Sequence, residues 1–248
     1  MGTLNPIGND VATFWASLKT GRSGAAEITA YDASDQAVRI AAEVKGFDAR
    51  AVFGPKQVRR SDRFTHLVMA AADEAIADAG LSFQEDKDNQ HVAVIIGTGI
   101  GGVGTLLQGY DTLQSRGSNR VSALMVPMMM PNAGAGEIAI RYGLHGLALS
   151  LNSACATGTN AIGEAAERIR RGAAEVCICG GGESVMHPLT AAALSNMGAV
   201  SCRNDDPQRA SRPFDADRDG FVIGEGAGVL ILENLEYAQE RGARIYAE

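Results

Sequence analysis

The sequence is poor in aromatic residues, with one tryptophan, five tyrosines and seven phenylalanines in 248 residues. It carries thirty glycines instead. Its interior must therefore rest on small and aliphatic side chains and on close backbone approach, which suits an α/β protein with tight turns. No apolar run approaches the ~18 residues that a membrane span requires, and no leader-like segment precedes Leu4. Cysteine is scarce as well. Four cysteines at irregular spacing in a long chain read as reduced thiols in a cytosolic setting, not as a disulfide framework. Positive charge is in deficit, 22 Lys and Arg against 29 Asp and Glu, and the net charge of -7 argues against nucleic acid as the main partner. What remains, 46% apolar and 21% charged residues, is a globular composition. The length is sufficient to bury a full core as one large domain or two small ones.

The stretch Asn152-Ser153-Ala154-Cys155-Ala156-Thr157-Gly158-Thr159-Asn160-Ala161-Ile162 organises the middle of the chain. Leu147, Leu149 and Leu151 alternate as in a strand that enters it. Ile162, Ala165, Ala166 and Ile169 follow at helical spacing, and Gly172 is a stop signal. Glu164 with Arg168, and Glu167 with Arg171, are expected to pair one turn apart on the polar face. Cys155 then sits on a tight strand-to-helix turn, where the helix dipole favours a thiolate and small neighbours leave the sulfur approachable. This is the logic of a nucleophile elbow with sulfur in place of oxygen. The alternative, a buried and inert cysteine, stays open on geometry alone.

Other stretches divide between structural and functional readings. Pro55 to Arg63 holds four cations, Lys56, Arg59, Arg60 and Arg63, against one acid. It precedes a helix that runs to Ala79 with Phe64, Val68, Ala71 and Ala75 on one face. Cations there work against the dipole of that helix, so the segment is either a solvated surface or a dock for an acidic partner. Gly97, Gly99 and Gly102 spell G-x-G-x-x-G after a strand from His91 to Ile96. A dinucleotide site would need a second strand and an acid about 20 residues on, and Leu113 to Arg120 offers neither, which leaves close helix–strand packing. Met125, Met128, Met129 and Met130 crowd a short segment around Val126 and Pro127, as adaptable filling. Cys177 and Cys179 share one face of a strand without further metal ligands. Asp215, Asp217, Asp219 and Gly220 imitate the start of a calcium loop, but Gly226 stands where its bidentate Glu belongs. The alternative is a turn whose carboxylates pair with Arg212 and Arg218.

Two motifs carry a resemblance. The Cys155 stretch resembles the nucleophile motif of the beta-ketoacyl-acyl-carrier-protein synthases, the condensing enzymes of fatty-acid synthesis. The block Arg212-Pro213-Phe214-Asp215-Ala216-Asp217-Arg218-Asp219-Gly220-Phe221-Val222-Ile223-Gly224-Glu225-Gly226-Ala227-Gly228 resembles the longest fixed signature of the same family. The resemblance runs from about Leu4 to Glu248 and is of the type II kind. It implies an α/β, thiolase-like fold, layered α-β-α around a mixed five-stranded sheet, the first half of an α-β-α-β-α architecture. Residues 1–248 would then be the N-terminal synthase domain, lacking the first strand and the C-terminal half.

The function implied is a decarboxylative Claisen condensation of an acyl thioester with malonyl-acyl carrier protein, in fatty-acid chain elongation. Cys155 would accept the acyl chain, and its backbone amide would help to hold the oxyanion. Ile100 would gate the acyl pocket, Leu194 would line it, and Val126 would lie near its far end, at a homodimer interface. Lys56, Arg59 and Arg60 fall where acyl carrier protein binds in that family. No metal or organic cofactor is expected, since the phosphopantetheine arm arrives on the carrier. The family's two histidines and lysine come from its C-terminal half, so none of His66, His91, His145 and His187 is assigned a catalytic role, and the chain alone is expected to be inactive. A polyketide ketosynthase, a non-catalytic chain-length-factor-like subunit and a thiolase-class enzyme using coenzyme A are the rival readings. Cys155 opposes the second, and the Asp215 to Gly228 block the third.

Overall fold

The structure is a computed structural model that describes residues 1–83 and 89–248. In chain order its elements are β1 (Gly2–Leu4), α1 (Val11–Lys19), β2 (Ala26–Glu27), β3 (Ile40–Ala41), α2 (Ala49–Val58), α3 (Arg63–Asp78), β4 (Val92–Gly97) and α4 (Val103–Arg116). There follow α5 (Met125–Met129), α6 (Ala133–Tyr142), β5 (Ala148–Leu149), α7 (Thr157–Arg170), β6 (Val176–Glu183), α8 (Pro188–Asn196), β7 (Gly226–Glu233) and α9 (Leu235–Glu240). One mixed five-stranded sheet, ordered β1-β7-β6-β4-β5, forms the centre. β4 pairs in parallel with β5 and β6, whereas β7 runs antiparallel to β6 and β1.

Period-two alternation splits the sheet into two faces. Val92, Val94 and Ile96 of β4, with Val176 and Ile178 of β6, pack against α3 and α6. Ala93, Ile95, Cys177 and Cys179 turn to the other face, against Ala161 and Ala165 of α7. The result is an α-β-α layering, in which Phe64, Leu67 and Val68 of α3 are completely buried. A third cluster of Val38, Ile40, Ala191, Val200, Ala210 and Ile223 closes a loop-rich lobe beside the sheet.

The chain opens with a strand: Gly2–Leu4 pairs with Ala227–Val229. Gly2 is required there, because a Cβ would lie 2.1 Å from the Ala71 carbonyl oxygen. Two expectations about ion pairs need correction. On α7 the ion pairs are Arg171 with Glu164, 3.0 Å across two turns, and Arg170 with Glu167. Arg168 Nε is buried without a partner instead. Arg212 and Arg218 donate to the backbone carbonyls of Asp217 and Asp215, not to carboxylates. The carboxylate of Asp215 is used by the Asp217 amide, 2.8 Å, which folds the loop on itself.

Candidate active site

Cys155 lies between the short strand β5 and the start of α7, and it is exposed. The turn is tied down from inside. Thr157 Oγ1 accepts from the Ser153 amide at 2.8 Å and donates to the Ala154 carbonyl at 2.7 Å. Asn160 Nδ2 donates to Ser153 Oγ at 2.7 Å. Ala154 takes φ 51°, a left-handed conformation costly for a residue with a Cβ. Such strain at a strand-to-helix turn lifts the next side chain out of the backbone's path. The amide of Cys155 donates no hydrogen bond within the described residues, so it is available to an incoming oxygen atom.

The other cysteines differ. Cys177 and Cys179 are buried, and burial pushes their thiols up to about 11 and about 12. Neither is a nucleophile near neutral pH. Cys202 is exposed but sits in a loop, and its own amide is committed to Asp219 Oδ2 at 3.1 Å.

The glycine-rich loop after β4 packs closely against this turn. A Cβ at Gly97 would stand 2.2 Å from Thr157 Cγ2. The amides of Gly99 and Ile100 do not face an open cradle: both donate to Glu183 Oε2, at 2.7 and 3.2 Å. Thr98 Oγ1 donates to Glu183 Oε1 at 3.1 Å. An internal carboxylate thus fills the place a phosphate would take in a dinucleotide site. Burial raises the pKa of Glu183, and its three loop donors only partly offset that.

A second carboxylate, this one buried, lies at the same end of the sheet, next to Gly226, the strand partner of Glu183. Glu225 accepts a bidentate pair from Arg63, at 2.7 and 2.5 Å, together with Ser184 Oγ at 2.7 Å and the Val44 amide at 2.9 Å. Burial alone would raise its pKa, but Arg63 and the other donors outweigh it and the net direction is down. Glu225, in the Asp215 to Gly228 block, is therefore an internal staple between the end of β6, the start of β7 and the start of α3.

Of the remaining site residues expected from sequence, Ile100 is 52% and Val126 55% exposed, while Leu194 is half-buried against the third cluster. None of these, nor Cys155, lines the cleft of about 920 Å³ that runs past Arg59, Arg63, Arg120, Met125, Met128 and His187. Lys56, Arg59 and Arg60 are exposed and adjacent, and none forms an ion pair among the described residues. They occupy a single turn after a break at Gly54, φ 77°, and the link that follows it. The expected conflict with the α3 dipole thus falls only on Arg63, which Glu225 neutralises. Two histidines have structural roles: His66 bonds Ser61 Oγ at 2.9 Å, and His187 caps α8 through the Leu189 amide at 3.1 Å.

Sequence reasoning did not single out Glu183, Thr98, Thr157 and Asn160 as site-forming. The last two lie inside the Cys155 motif, where spacing from the cysteine was the available signal. Glu183 follows a run of three glycines and gave none.

The sequence model described as "Beta-ketoacyl synthase, N-terminal domain" matches residues 1–238. The 3-oxoacyl-[acyl-carrier-protein] synthase 2 of Synechocystis sp. is 47% identical over all 248 residues, which span 59% of that relative. A solved structure titled "The ishigamide ketosynthase/chain length factor" superposes with TM-score 0.89 at 30% identity, over 99% of this chain and 60% of that one. A type II polyketide ketosynthase in complex with its acyl-carrier protein gives TM-score 0.84 at 28% identity, over 99% of this chain and 59% of that one.

Proposed function

The chain belongs to the beta-ketoacyl synthase family, as its N-terminal domain, and from that premise we propose that Cys155 is the acyl-accepting nucleophile of a decarboxylative condensation in fatty-acid elongation. Cys155 Sγ attacks the thioester carbonyl of an acyl chain on acyl carrier protein, and the carrier's phosphopantetheine thiol leaves. Malonyl-carrier protein then loses carbon dioxide. The resulting carbanion attacks the Cys155 thioester, forming the new carbon–carbon bond and returning the thiol. The observation that carries this reading is the exposed Cys155 on its strained turn, with its own amide uncommitted.

Ile100 bounds the acyl channel in this reading, with Leu194 and Val126 further along it. Lys56, Arg59 and Arg60 dock the acidic carrier, a partner whose counterpart appears beside the ketosynthase in the solved complex. A homodimer and a cytoplasmic setting complete the proposal; no helix among the described residues is long and apolar enough to cross a membrane. A polyketide ketosynthase is the second reading, favoured by the superposition on a type II polyketide ketosynthase, whereas the 47% identity to a 3-oxoacyl-[acyl-carrier-protein] synthase 2 favours the first.

The test is a competition for thiols. Limiting iodoacetamide or cerulenin, followed by peptide mass spectrometry, should modify Cys155 ahead of Cys202 and leave Cys177 and Cys179 untouched. Preferential modification of Cys202 would remove Cys155 from the nucleophile role.

A further inference from the structure

Glu183 takes no part in the condensation, yet it is the hub of the loop that carries Ile100. Its Oε2 accepts from the amides of Gly99 and Ile100, and its Oε1 from Thr98 Oγ1. Thr98 Oγ1 accepts in turn from the Gly101 amide at 3.2 Å. The bonding then continues toward the nucleophile. The Thr98 amide donates to the Leu151 carbonyl at 3.3 Å, and Asn152 Nδ2 donates to the Thr98 carbonyl. Asn152 stands three residues before Cys155. Gly99 is matched to this arrangement, since a Cβ there would lie 2.7 Å from Glu183 Oε2. One carboxylate at the end of β6 therefore fixes the backbone of residues 98–101 and, through Thr98, ties that loop to the strand entering the Cys155 turn.

We propose that Glu183 is a positioning residue, which holds Ile100 at the mouth of the acyl channel and in register with Cys155. The inference rests on the reading of Ile100 as the channel gate. It goes beyond that reading in assigning the gate's position to a side chain that touches neither substrate nor nucleophile. Three hydrogen bonds to one side chain, from two amides and a hydroxyl, hold such a loop in one conformation.

The test uses the 248-residue chain and two readouts. Amide hydrogen exchange at Gly99 and Ile100 should quicken roughly tenfold or more in Glu183→Asp, whose shorter side chain loses the bonds. In Glu183→Gln, which keeps an acceptor in place, it should remain within about threefold of the parent. The second readout is the rate at which N-dodecyl iodoacetamide alkylates Cys155, divided by the rate for iodoacetamide, at equal folded fraction. Freeing Ile100 in Glu183→Asp should raise this ratio severalfold, Glu183→Gln should leave it near the parent value, and Ile100→Phe should lower it.

Unchanged exchange in Glu183→Asp would overturn the proposal, as would equal loosening in Glu183→Gln. Faster exchange with an unmoved ratio, while Ile100→Phe still lowers it, would overturn the positioning role and leave the channel reading standing. A ratio that Ile100→Phe also fails to move would end the channel reading and the positioning role with it.

Discussion

Ala154 bears the cost of presenting Cys155. A residue with a Cβ at φ 51° is strained, and the turn holds it there through both hydrogen bonds of Thr157 Oγ1. A β-branched side chain cannot take that conformation cheaply. Ala154→Val should therefore cost about 1–3 kcal/mol in urea unfolding and slow alkylation of Cys155 more than that of Cys202. Equal slowing at both thiols would locate the effect in global unfolding and not in the turn. The exposed turn at Cys155 was legible in the sequence because small residues flank it and a strand and a helix bracket it. Glu183 was not, because its partners lie some eighty positions earlier in the chain, and a lone acid after glycines carries no local pattern. Arg212 and Arg218 were misread for a related reason. Spacing suggested carboxylate partners, whereas the loop's own carbonyls were nearer.

At the scale of elements, β4, β6, α3 and α7 were legible because each shows its period clearly. β4 and β6 divide their residues between two faces, and Cys177 and Cys179 do share one, against α7. The short opening strand was not legible. Three residues, Gly2 to Leu4, are too few for a periodic signal, and their pairing partner is β7 at the other end of the chain. The packing of α7 on β4 makes a sharp prediction. In Gly97→Ala the new Cβ would collide with Thr157, at 2.2 Å from Cγ2, so overpacking should cost about 1–3 kcal/mol and disturb the Cys155 turn first. Faster amide exchange at Ser153, ahead of exchange at the β6 amides, is the expected signature.

The Glu225–Arg63 pair yields a prediction in pH. Glu225 is held below its ordinary value of 4.5 in the folded protein. The stability it contributes is therefore present above that value and is lost as pH falls through the lowered one. Arg63→Met leaves a carboxylate buried, with its side chain 1% exposed, without its cation. The loss at pH 7 should be about 2–4 kcal/mol, below that of a fully buried pair because Arg63 is part-exposed. The gap between parent and variant should narrow as pH falls through the lowered pKa of Glu225, where the paired carboxylate takes up a proton in the parent as well. A gap independent of pH from 7 to 3 would show that Arg63 acts through packing alone.

For the whole molecule, the chain spans about 60% of the length of the curated relatives it matches and carries the proposed nucleophile but no histidine in a matching motif. The purified chain should therefore neither condense nor decarboxylate malonyl-carrier protein, and carbon dioxide release above the level of a Cys155→Ser control would mean that one of its four histidines works in the reaction. The proposed reaction brings the Cys155 thiol to a thioester carried by an acidic partner, and one cross-linking measurement tests both. An acyl carrier protein whose phosphopantetheine bears an α-bromoacyl group should alkylate Cys155 and join the two proteins through that thiol. The yield should fall steeply with added salt and after charge reversal at Lys56, Arg59 and Arg60, while a free α-bromoacyl pantetheine should react with Cys155 unchanged. Cross-linking through Cys202, or through Cys155 with no dependence on salt or on those three cations, would contradict the account.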